Sequence, residues 1–125
     1  MISYAMVGSN DLEKAKKFYD EVLGVIGVAP LMEHPSGGRM YGAMGQPMFG
    51  VVGPYNKEPA TFGNGTMIAL GMQSRDDVNR VYAKAIELGG KDEGAPGIRG
   101  PEGSTFYMAY FRDLDGNKLA LANFG

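Results

Sequence analysis

Few side chains in this 125-residue sequence are equipped for acid–base, nucleophilic or metal chemistry. Cysteine is absent, which excludes disulfides, thiolate metal sites and a cysteine nucleophile. The single histidine, His34, lies in Glu33-His34-Pro35-Ser36-Gly37-Gly38. With an unperturbed pKa of about 6.5, an imidazole at a pocket mouth would serve as a general base. A histidine flanked by proline and glycines is nonetheless expected to be an exposed loop residue. Any site needing two histidines would require a second copy of the chain. No Gly-x-Ser-x-Gly elbow is present, so a serine nucleophile has no support.

Two further patterns carry polar groups at regular spacing. Asp113, Asp115 and Asn117 suggest a calcium loop, but Gly116 stands at the fourth position rather than the sixth and no glutamate follows at the twelfth. A tight hairpin turn explains these residues better. Gly94, Gly97, Gly100 and Gly103 recur every three residues without a Gly-x-Gly or a following helix, so they are not a dinucleotide fingerprint. The stretch from Asp92 to Gly103 is expected to be a loop. Two alternatives stay open for it: a mobile connection, or a flap over a pocket with Arg99 able to pair with a substrate carboxylate or phosphate.

The elements that position these residues follow from hydrophobic period. Ile2–Val7 reads as a buried strand. Ser9, Asn10 and Asp11 then offer helix caps, with Glu13 three residues after Asn10 in capping-box spacing. Leu12, Ala15, Phe18, Tyr19, Val22 and Leu23 recur at helical spacing up to Gly24. Short strands are expected at Ala29–Glu33, Arg39–Met44 and Met48–Val52. The Gly-, Pro- and Asn-rich run Gly53–Gly65 joins two halves, with residues 1–55 as the first, 56–65 as linker and 66–125 as the second. The same grammar then restarts. Thr66–Met72 reads as a strand, Ser74 as a cap, Val78 to Leu88 as a helical stripe stopped by Gly89-Gly90, and Phe106–Phe111 and Lys118–Ala122 as strands around the Asp113–Asn117 turn. A shift of 63 residues sets Phe18-Tyr19 on Val81-Tyr82 and Tyr4 on Met67. This is an internal repeat of strand, helix and about three strands, and halves of about 60 residues are too small to stabilise themselves well, so they are expected to share sheet edges or faces.

Composition bounds the classes of function. Lys+Arg 12 against Asp+Glu 14 gives a net charge of −2, and no basic patch marks a nucleic-acid surface. A hydrophobic share of 44% argues against disorder as the main state. No apolar run approaches the roughly 18 residues of a membrane helix, and the N-terminus reads as a strand rather than a signal peptide. A cytoplasmic protein with no membrane or nucleic-acid partner is the expectation.

The sequence resembles the vicinal oxygen chelate superfamily, which includes glyoxalase I, extradiol dioxygenases, fosfomycin-resistance enzymes and bleomycin-binding proteins. The resemblance is carried by Asp11-Leu12-Glu13, Phe18-Tyr19, Leu23-Gly24, Gly65-Thr66-Met67-Ile68-Ala69, and above all Tyr110-Phe111-Arg112-Asp113-Leu114-Asp115-Gly116-Asn117-Lys118-Leu119. The last segment is similar to the family's F-x-DPDGN hairpin, with Leu114 in place of proline. It implies an α+β fold of tandem βαβββ modules, eight strands in a cupped mixed sheet with helices outside, in a single domain over 1–125 and a homodimer.

Superfamily members that bind a divalent ion carry ligands where this chain has Tyr4, Met67 and Ala120, with Phe49 as the aligned fourth position. A phenol, a thioether, a methyl group and a phenyl ring do not hold such an ion. The resemblance therefore implies no metal and no cofactor here. It turns Tyr4 and Met67 into the cup, and strand alternation groups Phe106, Met108 and Tyr110 on one face. The expected ligand-binding residues are Tyr4, Phe49, Met67, Arg99, Tyr110 and Ala120, around a small, partly apolar organic molecule. The alternatives are a glyoxalase-, lyase- or dioxygenase-like enzyme using Tyr110, Tyr4 or His34 as acid or base, and a structural or accessory dimer with a filled cup.

Overall fold

The computed structural model describes all residues from Met1 to Gly125. Its elements are β1 (Tyr4–Gly8), α1 (Leu12–Gly24), β2 (Pro30–Glu33), β3 (Arg39–Tyr41), β4 (Met48–Val52), β5 (Ile68–Gly71), α2 (Arg75–Glu87), β6 (Lys91–Arg99), β7 (Phe106–Arg112) and β8 (Lys118–Asn123). The chain is a tandem βαβββ α+β fold. The strands form two four-stranded sheets, β1-β4-β3-β2 and β5-β8-β7-β6, rather than one hydrogen-bonded sheet of eight. In each, the first strand runs parallel to the last and the remaining pairs are antiparallel. No helix is long and apolar enough to cross a membrane.

The repeat is sharpest through the helices. The 63-residue shift carries α1 onto α2 end for end and the Asp11 cap onto the Ser74 cap. Asp11 accepts the Lys14 amide at 3.2 Å and Ser74 accepts the Asp77 amide at 3.0 Å, each satisfying one orphan donor of a first turn. Because Asp11 is the cap, Glu13 falls one position short of a capping box. Beyond the helices the offset grows. Strand register equates Ala5-Phe49 with Ile68-Leu119, a shift of 70 at the last strand of each module.

One core serves both modules. Phe18, Tyr19 and Val22 of α1, Phe49 and Val51 of β4, Val78, Val81 and Ala85 of α2, and Phe111, Leu119 and Leu121 of β7 and β8 form a single buried cluster. Phe18 lies 6.4 Å from the Phe111 ring and Tyr19 lies 5.1 Å from Phe49, so α1 packs on both halves. The helix-facing sides of both sheets therefore join through their helices, which gives each small half the apolar burial it lacks alone.

The segment from Asp92 to Gly103 differs from expectation. Residues Lys91–Arg99 form β6, the edge strand of the second sheet, paired with β7 through two register shifts at Asp92/Gly94 and Gly94/Gly97. Glycine and proline spacing reads as loop by propensity, but a bulged edge strand tolerates both. Only Gly100 to Gly103 turns, and no flap stands over the sheet.

Candidate functional site

Each sheet has one side against the helices and one open side. In β1 the buried residue is Val7, while Tyr4 and Met6 remain exposed. In the second sheet, Ala109, Phe111, Leu119 and Leu121 face the core. The intervening residues Met108, Tyr110, Lys118 and Ala120 lie on the open side. Tyr110 and Ala120 pair directly across β7 and β8, and Ala120 pairs with Ala69 of β5.

Tyr110 is the centre of a cluster. The Arg99 guanidinium on β6 stands 5.5 Å from its ring centroid and the Lys118 ammonium on β8 stands 5.7 Å from it. Because β7 lies between β6 and β8, the two cations flank the ring from neighbouring strands. Arg99 donates from Nη2 to the Ala95 carbonyl at 2.6 Å. Neither cation takes part in an ion pair. Arg112 differs, since its Nε donates to Glu93 at 2.5 Å and its Nη1 to the Gly116 carbonyl at 2.9 Å. The Arg112 hydrogen bond is the main cause that holds the Glu93 carboxyl below its ordinary range. The structure thus brings together Arg99, Tyr110 and Ala120, and adds Lys118, which sequence reasoning missed. Its signal was visible, because Lys118 is two residues from Ala120 and so shares its face.

Two other site residues stand elsewhere. Tyr4 lies on the open side of the first sheet and Met67 immediately precedes β5 beside the second. Met67 borders a depression of about 370 Å³ with Phe62, Arg112 and Lys118. Phe49 needs correction. It is 6% exposed, packed on Tyr19 in the core, so it does not line the open side. The register makes Phe49 the mate of Leu119 and Gly50 the mate of Ala120. Likewise Met40 pairs with Gly50 as Tyr110 pairs with Ala120. Met40 fills the place opposite Gly50, where an added Cβ would stand 2.2 Å from its sulfur. Aligning Phe49-Gly50-Val51 with Leu119-Ala120-Leu121, large-small-large in both, would have found this offset.

Ala120 is fully buried by its neighbours. No open space therefore lies over this position. Ala120→Trp is expected to overpack the site and cost about 1–3 kcal/mol, read as a lower urea midpoint.

His34 sits on the β2–β3 turn of the first module. The Ser36 amide donates to its Nδ1 at 3.2 Å, and Ser36 Oγ lies 2.8 Å from the same nitrogen. Ser36 Oγ also accepts the Gly38 and Gly53 amides, so the pair stitches the turn to β4. His34 borders an open depression of about 1190 Å³ together with Met6, Asn10, Val52 and Tyr55. None of Arg99, Tyr110 or Ala120 lines it.

The Asp113–Asn117 turn joins the modules rather than holding an ion. Asp113 accepts the Tyr19 hydroxyl at 2.5 Å and, at 2.9 Å each, the Asp115 amide, the Asn117 amide and Asn117 Nδ2. Asn117 Nδ2 also donates to the Gly8 carbonyl, and the Asn10 amide donates to Asp115 Oδ1, both at 2.9 Å. Burial, reinforced by the Asp113 charge, pushes the Tyr19 phenol well above its ordinary value and keeps it a hydrogen-bond donor.

The divalent-ion positions of the resembled family do not fit a metal here. With Gly50 in the fourth place, the set is a phenol at Tyr4, a hydrogen at Gly50, a thioether at Met67 and a methyl at Ala120. No three His, Cys, Asp or Glu side chains are placed to hold an ion anywhere in the chain.

Residues 1–121 match the Glyoxalase/Bleomycin resistance protein/Dioxygenase superfamily. A glyoxalase/bleomycin resistance protein from Albidiferax ferrireducens T118 is 40% identical, with 98% of this chain and 97% of that chain covered and a TM-score of 0.87. A glyoxalase I mutant from Zea mays is 25% identical over 96% of this chain and 44% of that one, with a TM-score of 0.72. Lactoylglutathione lyase from Agrobacterium tumefaciens shares the fold at 21% identity and a TM-score of 0.69, covering 98% of this chain and 92% of that chain. No curated protein matches the chain. On a match spanning nearly every residue and on the paired βαβββ modules beneath it, this chain belongs to the glyoxalase/bleomycin resistance protein/dioxygenase superfamily.

Proposed function

We propose that this protein binds a small, partly apolar organic molecule on the open sides of its sheets without a metal ion, in the cytoplasm, and that two copies pair to close those sides over it. The observation that carries the reading is the apolar surface left in water. Tyr4 is 54% exposed, Met6 42%, Met67 44% and Phe106 49%, while the opposite sides of the same sheets are buried. Exposed apolar side chains on the open side of each sheet support a ligand or partner contact there. Symmetric pairing of two chains is the commonest way to cover such a surface. The phenols at Tyr4 and Tyr110, beside side chains that cannot hold a metal ion, support a ligand held by packing and by hydroxyl hydrogen bonds.

The reading is tested by thermal-shift screening against metabolite and antibiotic sets, with and without a chelator, alongside light scattering. A ligand present at 100 times its Kd is expected to add about 2.7 kcal/mol, undiminished by chelation, on a particle of twice the chain mass. Elemental analysis of dialysed, untagged protein is expected to find far less than one metal per chain. A near-stoichiometric metal, or ligand binding abolished by the chelator, would overturn the metal-free reading. Turnover of the methylglyoxal–glutathione adduct would replace binding with lyase chemistry.

A further inference from the structure

The open side of β6, β7 and β8 carries a built arrangement of charge. Arg99 does not extend into solvent like an ordinary edge-strand arginine. Its guanidinium folds back along its own strand, where Nη2 donates to the Ala95 carbonyl and the group faces the Tyr110 ring. The path it follows is open because two glycines lie under it. An added Cβ at Gly97 would stand 3.1 Å from Nη1, and one at Gly94 would stand 3.2 Å from Nη2 and 2.9 Å from the Tyr110 ring. The bulges of β6 fall at these glycines. Their recurrence, opaque in the sequence, thus clears a seat for one side chain.

Lys118, from β8 on the other side of β7, brings a second positive charge near the same ring. The carboxylate of this face, Glu93, is hydrogen-bonded to Arg112 and feels the Lys118 charge only at longer range, without an ion pair to it. Two cations held beside one aromatic ring, without an ion-pair partner, repel each other and attract an anion. The seated guanidinium keeps Nη1 and Nε for a ligand, and a planar oxyanion matches that fork. The Tyr110 ring and the neighbouring Met108, both partly exposed, supply an apolar floor for the rest of a molecule.

We infer that the ligand of this protein is an organic anion, its carboxylate or phosphonate oxygens received by Arg99 and Lys118 and its apolar body resting on Tyr110. This deepens the proposed function and rests on its claim that an organic molecule occupies the open side. Gly94 and Gly97 are positioning residues in this account, since they act only through Arg99.

The test is a titration of the full-length protein followed by backbone amide NMR, with benzoate, phenylphosphonate, benzamide and inorganic phosphate as separate probes. Benzoate or phenylphosphonate is expected to shift the amides of Gly94, Gly97, Tyr110 and Ala120 saturably, and benzamide to bind at least tenfold more weakly. Which of the two anions binds tighter identifies the preferred oxyanion. Arg99→Gln and Lys118→Gln should each weaken the preferred anion by tenfold or more while leaving the melting temperature unchanged. Gly97→Ala keeps every charge and permits an ordinary backbone, so weaker binding in this variant reports loss of the seat rather than of net charge. Benzamide binding as tightly as benzoate would overturn the anion and leave the organic ligand standing. Inorganic phosphate binding as tightly as phenylphosphonate would keep the anion site and remove the organic body. No saturable shift with any probe, or binding unaffected by Arg99→Gln, would overturn the inference.

Discussion

Asp113→Ala should lower the unfolding free energy by about 3–5 kcal/mol, because it orphans several donors around one buried carboxylate at once. Four donors converge on this carboxylate, and two of the residues that supply them, Tyr19 and Asn117, are themselves almost fully enclosed. Alanine leaves the Tyr19 hydroxyl and the Asp115 and Asn117 amides without this acceptor, at about 1–3 kcal/mol for each one orphaned in a buried place, while Asn117 Nδ2 keeps the Gly8 carbonyl. A protein of this size has about 5–15 kcal/mol of net stability, so the variant sits near the limit of folding. Urea denaturation measures the loss. Tyr19→Phe removes only one of the four donors and should cost about 1–2 kcal/mol, which separates the network from its largest member. A loss below 1 kcal/mol for Asp113→Ala would mean that water enters the turn and takes the place of the carboxylate.

Gly38→Ala is expected to be as damaging for a different reason. Gly38 precedes β3, where the chain passes against β4. An added Cβ would lie 2.1 Å from the Val51 carbonyl oxygen and 2.7 Å from Val52 Cα. Both obstacles are backbone of a paired strand, so no rotamer change relieves the overlap and β3 must leave its register. The loss should exceed about 3 kcal/mol, with β3–β4 amides losing hydrogen-exchange protection before the second sheet does. Gly24→Ala is the control. It lies at the end of α1 with nothing within 4 Å of its added Cβ and without a positive φ. It should be neutral or gain up to about 1 kcal/mol through helix propensity and chain entropy.

What the sequence disclosed was periodic, and what it hid was register. The helices, their stripes and the Ser74 cap follow from 3.6-residue spacing and from local chemistry confined to a few neighbours. β4 was legible to the residue, yet its inward side was not. Phe49 and Gly50 differ by one place, and one place exchanges the two sides of a strand. β6 escaped because its glycines and proline carry loop propensity, while its pairing partner lies across a turn and supplies the hydrogen bonds. The seat of Arg99 depends on where a side chain folds back, which no spacing rule encodes. The paired sheets could not be resolved from one sheet of eight either, because edge contacts between modules are set by packing of α1 and α2.

The links between the Asp113–Asn117 turn and the first module also order events during synthesis. Gly8, Asn10 and Tyr19 leave the ribosome about a hundred residues before the groups that satisfy them. Until the β7–β8 hairpin emerges, the first half has its helix and strands but lacks the acceptor for a buried phenol and the donor for a strand-end carbonyl. Contacts of such separation are entropically late. The nascent first module is therefore a holding state rather than a finished half, with Phe18 still waiting for Phe111. A ribosome paused before residue 113 would display that state to chaperones, and release from the pause would lock both halves in one step.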